Sequence, residues 1–282
     1  MAVDINRGAL TLPPEVSGEI LQKTQEQSAV MQLARAMALP GQGLSIPIIT
    51  GDPKAEWVAE TDKKPVSNPT VSQKIMTPYK MAVIETFSME FTRDWATLYD
   101  ALVGRIPLAM AKVFDSTVFG ATTKPGENFD QLSGCTAQVI KTDTYKGLVA
   151  ADSDIAEHDG ITNGYVLSPQ GRAVLLSAVD GQGRPLFISS VADSAIPQIL
   201  GSPTYSSKGA YVAGTPNTLG FAGDWTQAIY GIVDGLQISI SDQATVNDVN
   251  LWQQNMIAIR AEMEIGFRAD TTVFNKLTDA TA

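Results

Sequence analysis

Between Arg93 and Phe119 the apolar residues Leu98, Leu102, Ile106, Met110, Phe114 and Val118 stand four apart, and over a run of this length the pattern reads as a helical period. At 1.5 Å per residue such a helix runs about 40 Å, so the rest of the chain has to be arranged along it. Thr92 or Asp94 is placed to cap its start. Gly120 closes it, and the polar turn Thr122-Thr123-Lys124-Pro125-Gly126 comes next. Pro107 inside it lacks an N–H and is expected to kink it.

Ahead of this helix, Pro13-Pro14 opens and Leu39-Pro40-Gly41 ends a second helical stretch, Val16 to Met37, with Ile20, Leu21, Val30, Leu33 and Met37 as its intermittent apolar face. Leu44 to Ile49 reads as a strand, and Val71 to Phe91 as a longer extended segment that alternates at Val83, Glu85 and Phe87. Gly51 to Thr70 between them carries charges and three prolines, too polar for a core, so the two strands make a protruding hairpin with a polar tip.

Beyond the long helix, Cys135 to Ala151 fits a short strand or a helix, with Asp152-Ser153-Asp154 as a cap for the next element. Tyr165-Val166-Leu167 is a buried strand, Ser168 or Pro169 opens a helix through Ala178, and Asp180-Gly181-Gln182-Gly183 is a turn. Strands are expected at Tyr211 to Ala213, Phe221 to Gly223, Ala228 to Ile232, Gln237 to Ser241 and Asn255 to Phe267. Helices and strands alternate irregularly, which makes the class α+β. No repeat and no linker separates parts of the chain, so any domains are intimately joined.

Composition removes function classes. A net charge of -10 argues against a protein that grips phosphates, since that work needs clustered Lys and Arg. The single cysteine, Cys135, cannot form an intrachain disulfide, and the single histidine, His158, leaves too few ligands for a His-Cys metal pattern. No cofactor is expected. Cys135 reads as a small buried residue, His158 as a surface histidine, and Asp224 and Asp242 as turn formers. No apolar run approaches the roughly 20 residues of a membrane span. Met1 to Arg7 lacks the pattern of a signal peptide, so synthesis and assembly in the cytoplasm are the expectation.

Several short stretches, taken in order, resemble the major capsid proteins of tailed bacteriophages, the family whose fold is named for bacteriophage Hong Kong 97 and also called the Johnson fold. Trp57-Val58-Ala59-Glu60-Thr61-Asp62-Lys63-Lys64-Pro65 is similar to the acidic-then-Lys-Pro stretch near the tip of the family's E-loop hairpin. The helix ending at Phe119-Gly120 resembles its spine helix. Tyr165-Val166-Leu167-Ser168-Pro169 and Asp180 to Phe187 resemble its strand, helix start and Gly-Arg turn, with Ser168 in place of the usual asparagine. Leu200-Gly201-Ser202-Pro203, Phe221 to Trp225 and Asn255 to Glu262 resemble its Leu-Gly-x-Pro turn, Gly-Asp corner and C-terminal strand with an Arg-x-Glu element. Each stretch is common in isolation; their order and spacing carry the resemblance.

The resemblance implies a structural protein that assembles with itself, as hexamers and pentamers, into an icosahedral shell around a double-stranded DNA genome that it encloses without reading its sequence. It implies residues 1–43 as an N-terminal arm and helix, 44–91 as the E-loop hairpin and first strands of a peripheral (P) domain, and 92–134 as the spine helix and its turn. Residues 135–240 would be the axial (A) domain and 241–282 the C-terminal P-domain strands. Implied partners are a portal at one vertex, a separate scaffolding protein or none, since the resemblance begins close to the N-terminus, and in some shells a decoration protein. Trp57, Val58, Glu60, Lys63, Lys64 and Arg260 are the implied inter-subunit contacts; the alternative for Trp57 is a lid packed on its own subunit. In some relatives a lysine is joined covalently to an asparagine of a neighbouring subunit beside a glutamate, and Lys64, Asn255 and Glu262 match those positions. The same residues fit a solvated loop, a turn and an ion pair with Arg260, and the non-covalent reading is preferred.

Two other functions compete. An encapsulin, a cellular compartment shell, would share the fold. A hydrolase using Glu262 and Glu264, two residues apart on one strand face, would need a deep cleft around them.

Overall fold

A computed structural model describes residues 14–50, 57–58, 60, 63–64, 66, 70–90, 95–184, 186 and 198–280. The four-residue spacing becomes α3, Trp95–Val118, which contains Pro107 and buries Ile106, Met110, Phe114 and Val118. Leu108 and Val113, off that face, stay exposed. The cap expected at Thr92 or Asp94 lies outside the described residues. Gly120 ends the helix at φ 86°, and a Cβ there would stand 2.4 Å from Ser133 Cβ, so both the angle and the space require glycine.

The single helix expected from Val16 to Met37 is divided. α1 spans Pro14–Gln27, Ser28 caps the short α2 (Ala29–Leu33) by accepting from Met31 N, and the chain then extends into β1, Arg35–Ala38. Met37 therefore lies on a strand, because pairing with a longer strand outweighs local helical preference there. The long extended segment is likewise broken at Thr77-Pro78 into β3 (Thr70–Met76) and β4 (Tyr79–Ser88). Pro78 has no N–H with which to continue the ladder.

The first sheet has the order β1-β10-β13-β4, where β10 is Ala228–Ser241 and β13 is Met256–Ala269. The strands expected at 228–232 and 237–241 are one, joined through a bulge at Asp234 and Gly235, both at positive φ. Ile257, Ile259, Ala261, Met263, Ile265 and Phe267 alternate along β13 into the core under α3. Phe114 stands edge-on to Phe129, Tyr230 and Phe267 there, at centroid distances of 6.1 to 6.4 Å.

The second sheet has the order β5-β14-β9-β6-β8-β7: β5 is Thr136–Val139, β6 Gly164–Leu167, β7 Gln198–Ile199, β8 Ser202–Ser206, β9 Thr218–Gly223 and β14 Phe274–Thr278. Its central strands β6 and β9 are buried at every residue, as strands covered on both faces must be. Val166, Phe221 and Phe274 join the core under α3, where Phe119 stacks on Phe221 at 4.8 Å. Tyr165, Ala222 and Leu277 face a separate core with Leu148, Ala151 and Ile155 of α4 (Thr144–Glu157) and Leu175 of α5 (Pro169–Ser177). One sheet thus closes both cores, which is why no linker is visible in the sequence.

Three further expectations are corrected or narrowed. α4 is capped by Asp143, which accepts from Lys146 N, so Asp152, Ser153 and Asp154 lie inside a helix and do not cap one. The strand expected at Tyr211 to Ala213 is a single bridge from Val212 to Thr218. β14 forms where the sequence pattern predicts no strand. β10, which ends at Ser241, pairs in the first sheet, and β14 pairs in the second. Ser168 does cap α5, with its Oγ accepting from Gly171 N at 3.0 Å.

Candidate assembly site

β2 (Leu44–Thr50) pairs antiparallel with β3 in an unbroken register from Leu44 opposite Met76 to Thr50 opposite Thr70, and of the tip beyond them only Trp57, Val58, Glu60, Lys63, Lys64 and Val66 are described. The root is seated on the first sheet. Leu39, Met76 and Val233 form a small buried core with Met37, Leu44, Ile46 and Ile229 around it. Gly231 and Gly266 are cross-strand partners, and a Cβ on either would come within 3.0 Å of the Met76 side chain. The sheet therefore offers a glycine-lined depression into which Met76 fits.

A polar network fastens the same corner. Arg268, near the end of β13, donates from Nε and Nη2 to the Ile75 carbonyl at 2.8 and 2.6 Å. Its Nη1 reaches Asp130 Oδ1 and its Nη2 reaches Asn128 Oδ1, each at 2.8 Å. Asn128 in turn donates from its side chain to Thr77 Oγ1 and from its backbone to the Tyr79 hydroxyl. Lys74 donates to the Ala269 carbonyl at 2.9 Å and stands 3.8 Å from Asp130.

The tip is the opposite. Trp57 is fully exposed at 106%, Val66 is exposed at 81%, and Val58, Glu60, Lys63 and Lys64 are exposed as well. Trp57 is not a lid on its own subunit.

On the outer face of the first sheet, Arg260 donates from Nε to Glu262 Oε1 at 3.0 Å and to Ser239 Oγ at 3.2 Å. Lys80 lies 3.8 Å from Glu262 and 3.5 Å from Glu264. These carboxylates are thus engaged by cations on an open sheet face. The cavity beside them holds about 90 Å³, against roughly 300–1,000 Å³ for ordinary ligand sites, which leaves no cleft for hydrolase chemistry at Glu262 and Glu264. Asn255 is exposed at φ 55° and its carbonyl accepts from Met89 N. It stands seven residues before Glu262, roughly 20 Å away along an extended chain, so within one subunit this carboxylate does not reach this amide. The structure does not bring Lys64, Asn255 and Glu262 together in one chain.

Other singled-out residues fall in quiet places. His158 is exposed at the end of α4 with Nδ1 2.8 Å from the Asp154 carbonyl. Cys135 is buried, and burial pushes its thiol up to about 12. Asp224 holds a turn through Thr226 and Asn163. No sequence pattern marks Trp252, 73% exposed beside the fully buried Leu251, or Asp115. This buried carboxylate on α3 accepts from Ser28 Oγ at 2.6 Å, Ser207 Oγ at 2.7 Å, and the amides of Ala29 and Val30. Burial, opposed by these hydrogen bonds, raises its pKa.

Among the described residues no helix is long and apolar enough to cross a membrane, and no group of His, Cys, Asp and Glu could hold a metal ion.

Comparison with known proteins fits this geometry. The model of the phage capsid family matches residues 8–271. The probable major capsid protein gp17 of Mycobacterium phage D29 is 31% identical over 95% of this chain and 90% of its own length. The major capsid protein of Staphylococcus phage 80alpha is 26% identical over 96% and 85%. A solved chain from Gordonia phage Cozz, 20% identical, superposes with a TM-score of 0.73 over 91% of this chain and 87% of its own, and so has the same fold. These matches favour a viral over a cellular shell. The chain belongs to the phage capsid family, and it is a structural subunit of a phage capsid and a component of the virion.

Proposed function

We propose that the subunit builds its shell by laying the hairpin of residues 44–76 across the outer sheet face of a neighbouring copy. The observation that carries this reading is Trp57, a fully exposed tryptophan at the end of a hairpin whose root is firmly seated. A two-stranded ribbon is not stable alone, and an exposed indole is costly unless a partner covers it. Trp57, Val58, Glu60, Lys63 and Lys64 reach, and Arg260 on the neighbour receives. In the family's terms the first sheet with α3 is the P-domain, the second sheet with α4 and α5 the A-domain, and the hairpin the E-loop. Pentamers and hexamers of such subunits close an icosahedral shell around double-stranded DNA, with a portal at one vertex, a separate scaffolding protein, room for a decoration protein, and assembly in the host cytoplasm. The acidic balance suits a wall that encloses DNA without holding it.

We read the contact as packed and not covalent, because Glu262 is already engaged by Arg260 and Lys80. Trp57→Asp is expected to abolish particles on expression while leaving a folded subunit by circular dichroism. Wild-type particle yield from that variant would refute the reading. Denaturing electrophoresis of particles is expected to show only the monomer band.

A further inference from the structure

We propose that Arg268 is a positioning residue that sets the angle at which the hairpin leaves the body, and through it the geometry of the shell. The inference rests on the hairpin reaching a second copy. Met76 in the Gly231–Gly266 depression is one fastening, and a ribbon held at one point can still rotate about it. Arg268 supplies a further fastening, beside Lys74, which donates to the Ala269 carbonyl. Its guanidinium side chain, only 11% exposed, ties the Ile75 carbonyl on β3 to Asn128 and Asp130 on the loop beyond α3.

That loop is itself fixed to the end of β13, with Asp130 N donating to the Phe267 carbonyl and Asp130 Oδ2 accepting from Ala269 N. Asn128 grips Thr77 and Tyr79 on either side of Pro78, so the corner between β3 and β4 is held on both flanks. A planar fork of fixed N–H directions can serve a carbonyl and two side chains at once; a lysine ammonium cannot hold the same angle.

The lever makes the angle matter. Seven residues of strand reach about 23 Å at the ordinary rise, so a turn of about 10° at the root displaces the far end by about 4 Å. That is the full range of a packing contact, enough to put the tip on the wrong part of a neighbour.

Arg268→Lys keeps the charge beside Asp130 and loses the fork. The expected result is amide hydrogen exchange faster by roughly tenfold across 44–50 and 70–76 in unassembled subunits, with 256–267 unchanged, and particles of mixed diameter by electron microscopy. Wild-type exchange in the hairpin would overturn the proposal, and so would faster exchange with particles of uniform wild-type diameter, since the clasp would then be structural only. Asn128→Ala, which leaves the Arg268–Asp130 pair in place, is expected to give the same pattern more weakly and serves if the lysine variant fails to fold. Trp57→Asp separates the two ideas: normal assembly of that variant refutes the reaching tip, whereas the exchange result reads the clasp without any shell.

Discussion

The two ends of the hairpin obey different rules. At the root, apolar atoms are covered, the Ile75 carbonyl has two donors, and glycines are placed where any side chain would collide with Met76. At the tip, Trp57 and Val66 are exposed. The proposed reading makes the bare end the one that a neighbouring copy covers. The contrast separates what folds the subunit from what assembles it, and substitutions at the two ends are expected to fail in different assays.

The largest effect is expected at the root. Met76→Ala empties the depression and, as a deletion from a filled core, should cost about 2–4 kcal/mol in chemical denaturation. Gly266→Val, which places a Cβ 2.8 Å from Met76 Cγ and 3.0 Å from the Thr77 carbonyl, should cost about 1–3 kcal/mol by overpacking. A loss under about 0.5 kcal/mol in both would erase the contrast, because surface positions behave that way.

A second closed junction sharpens the comparison through pH. Asp115 joins α3 to Ser28 and Ser207, and no cation pairs with it among its hydrogen-bond partners. Its folded pKa lies above the ordinary 3.8, so the folded state binds the proton more tightly than the unfolded state does. The cost of the buried charge is fully present above the folded pKa and is relieved as pH falls through it toward 3.8. The stability of wild type relative to Asp115→Asn should therefore rise as the solution is acidified over that window; a flat or falling difference in urea titrations would contradict the assignment.

At the tip, Val66→Ser is expected to move unfolding free energy by less than about 0.5 kcal/mol while lowering particle yield. The smallest effect concerns Cys135: as a buried thiol pushed up to about 12, it should stay unmodified by a thiol reagent near neutral pH until the subunit unfolds.

Legibility in the sequence divides along the same line. α3 was legible because its apolar residues recur at a helical spacing, of which Ile106, Met110, Phe114 and Val118 are buried, and the hairpin because a polar, proline-rich stretch between two β-rich runs has no other simple reading. Ser168 was legible because its capping bond spans only three residues. Illegible were features made by distant partners. β1 is a strand only because β10 lies beside it, β10 is continuous only because β13 carries it across the Asp234–Gly235 bulge, and β14 has few apolar residues to announce it. Arg268 acts on a carbonyl 193 positions earlier, a relation that no local spacing records. At the candidate site, Trp57 was visible as an anomaly of composition, an indole on a charged loop. Trp252 was missed because the turn around it looks like any other polar turn.

The most direct measurement is hydroxyl-radical footprinting of the Trp57 side chain in unassembled subunits and in intact particles. A tip that lies on a neighbour predicts Trp57 fully reactive when free and protected by roughly tenfold or more in the particle. Equal reactivity in the two states would show that the tip is never covered and would contradict the account.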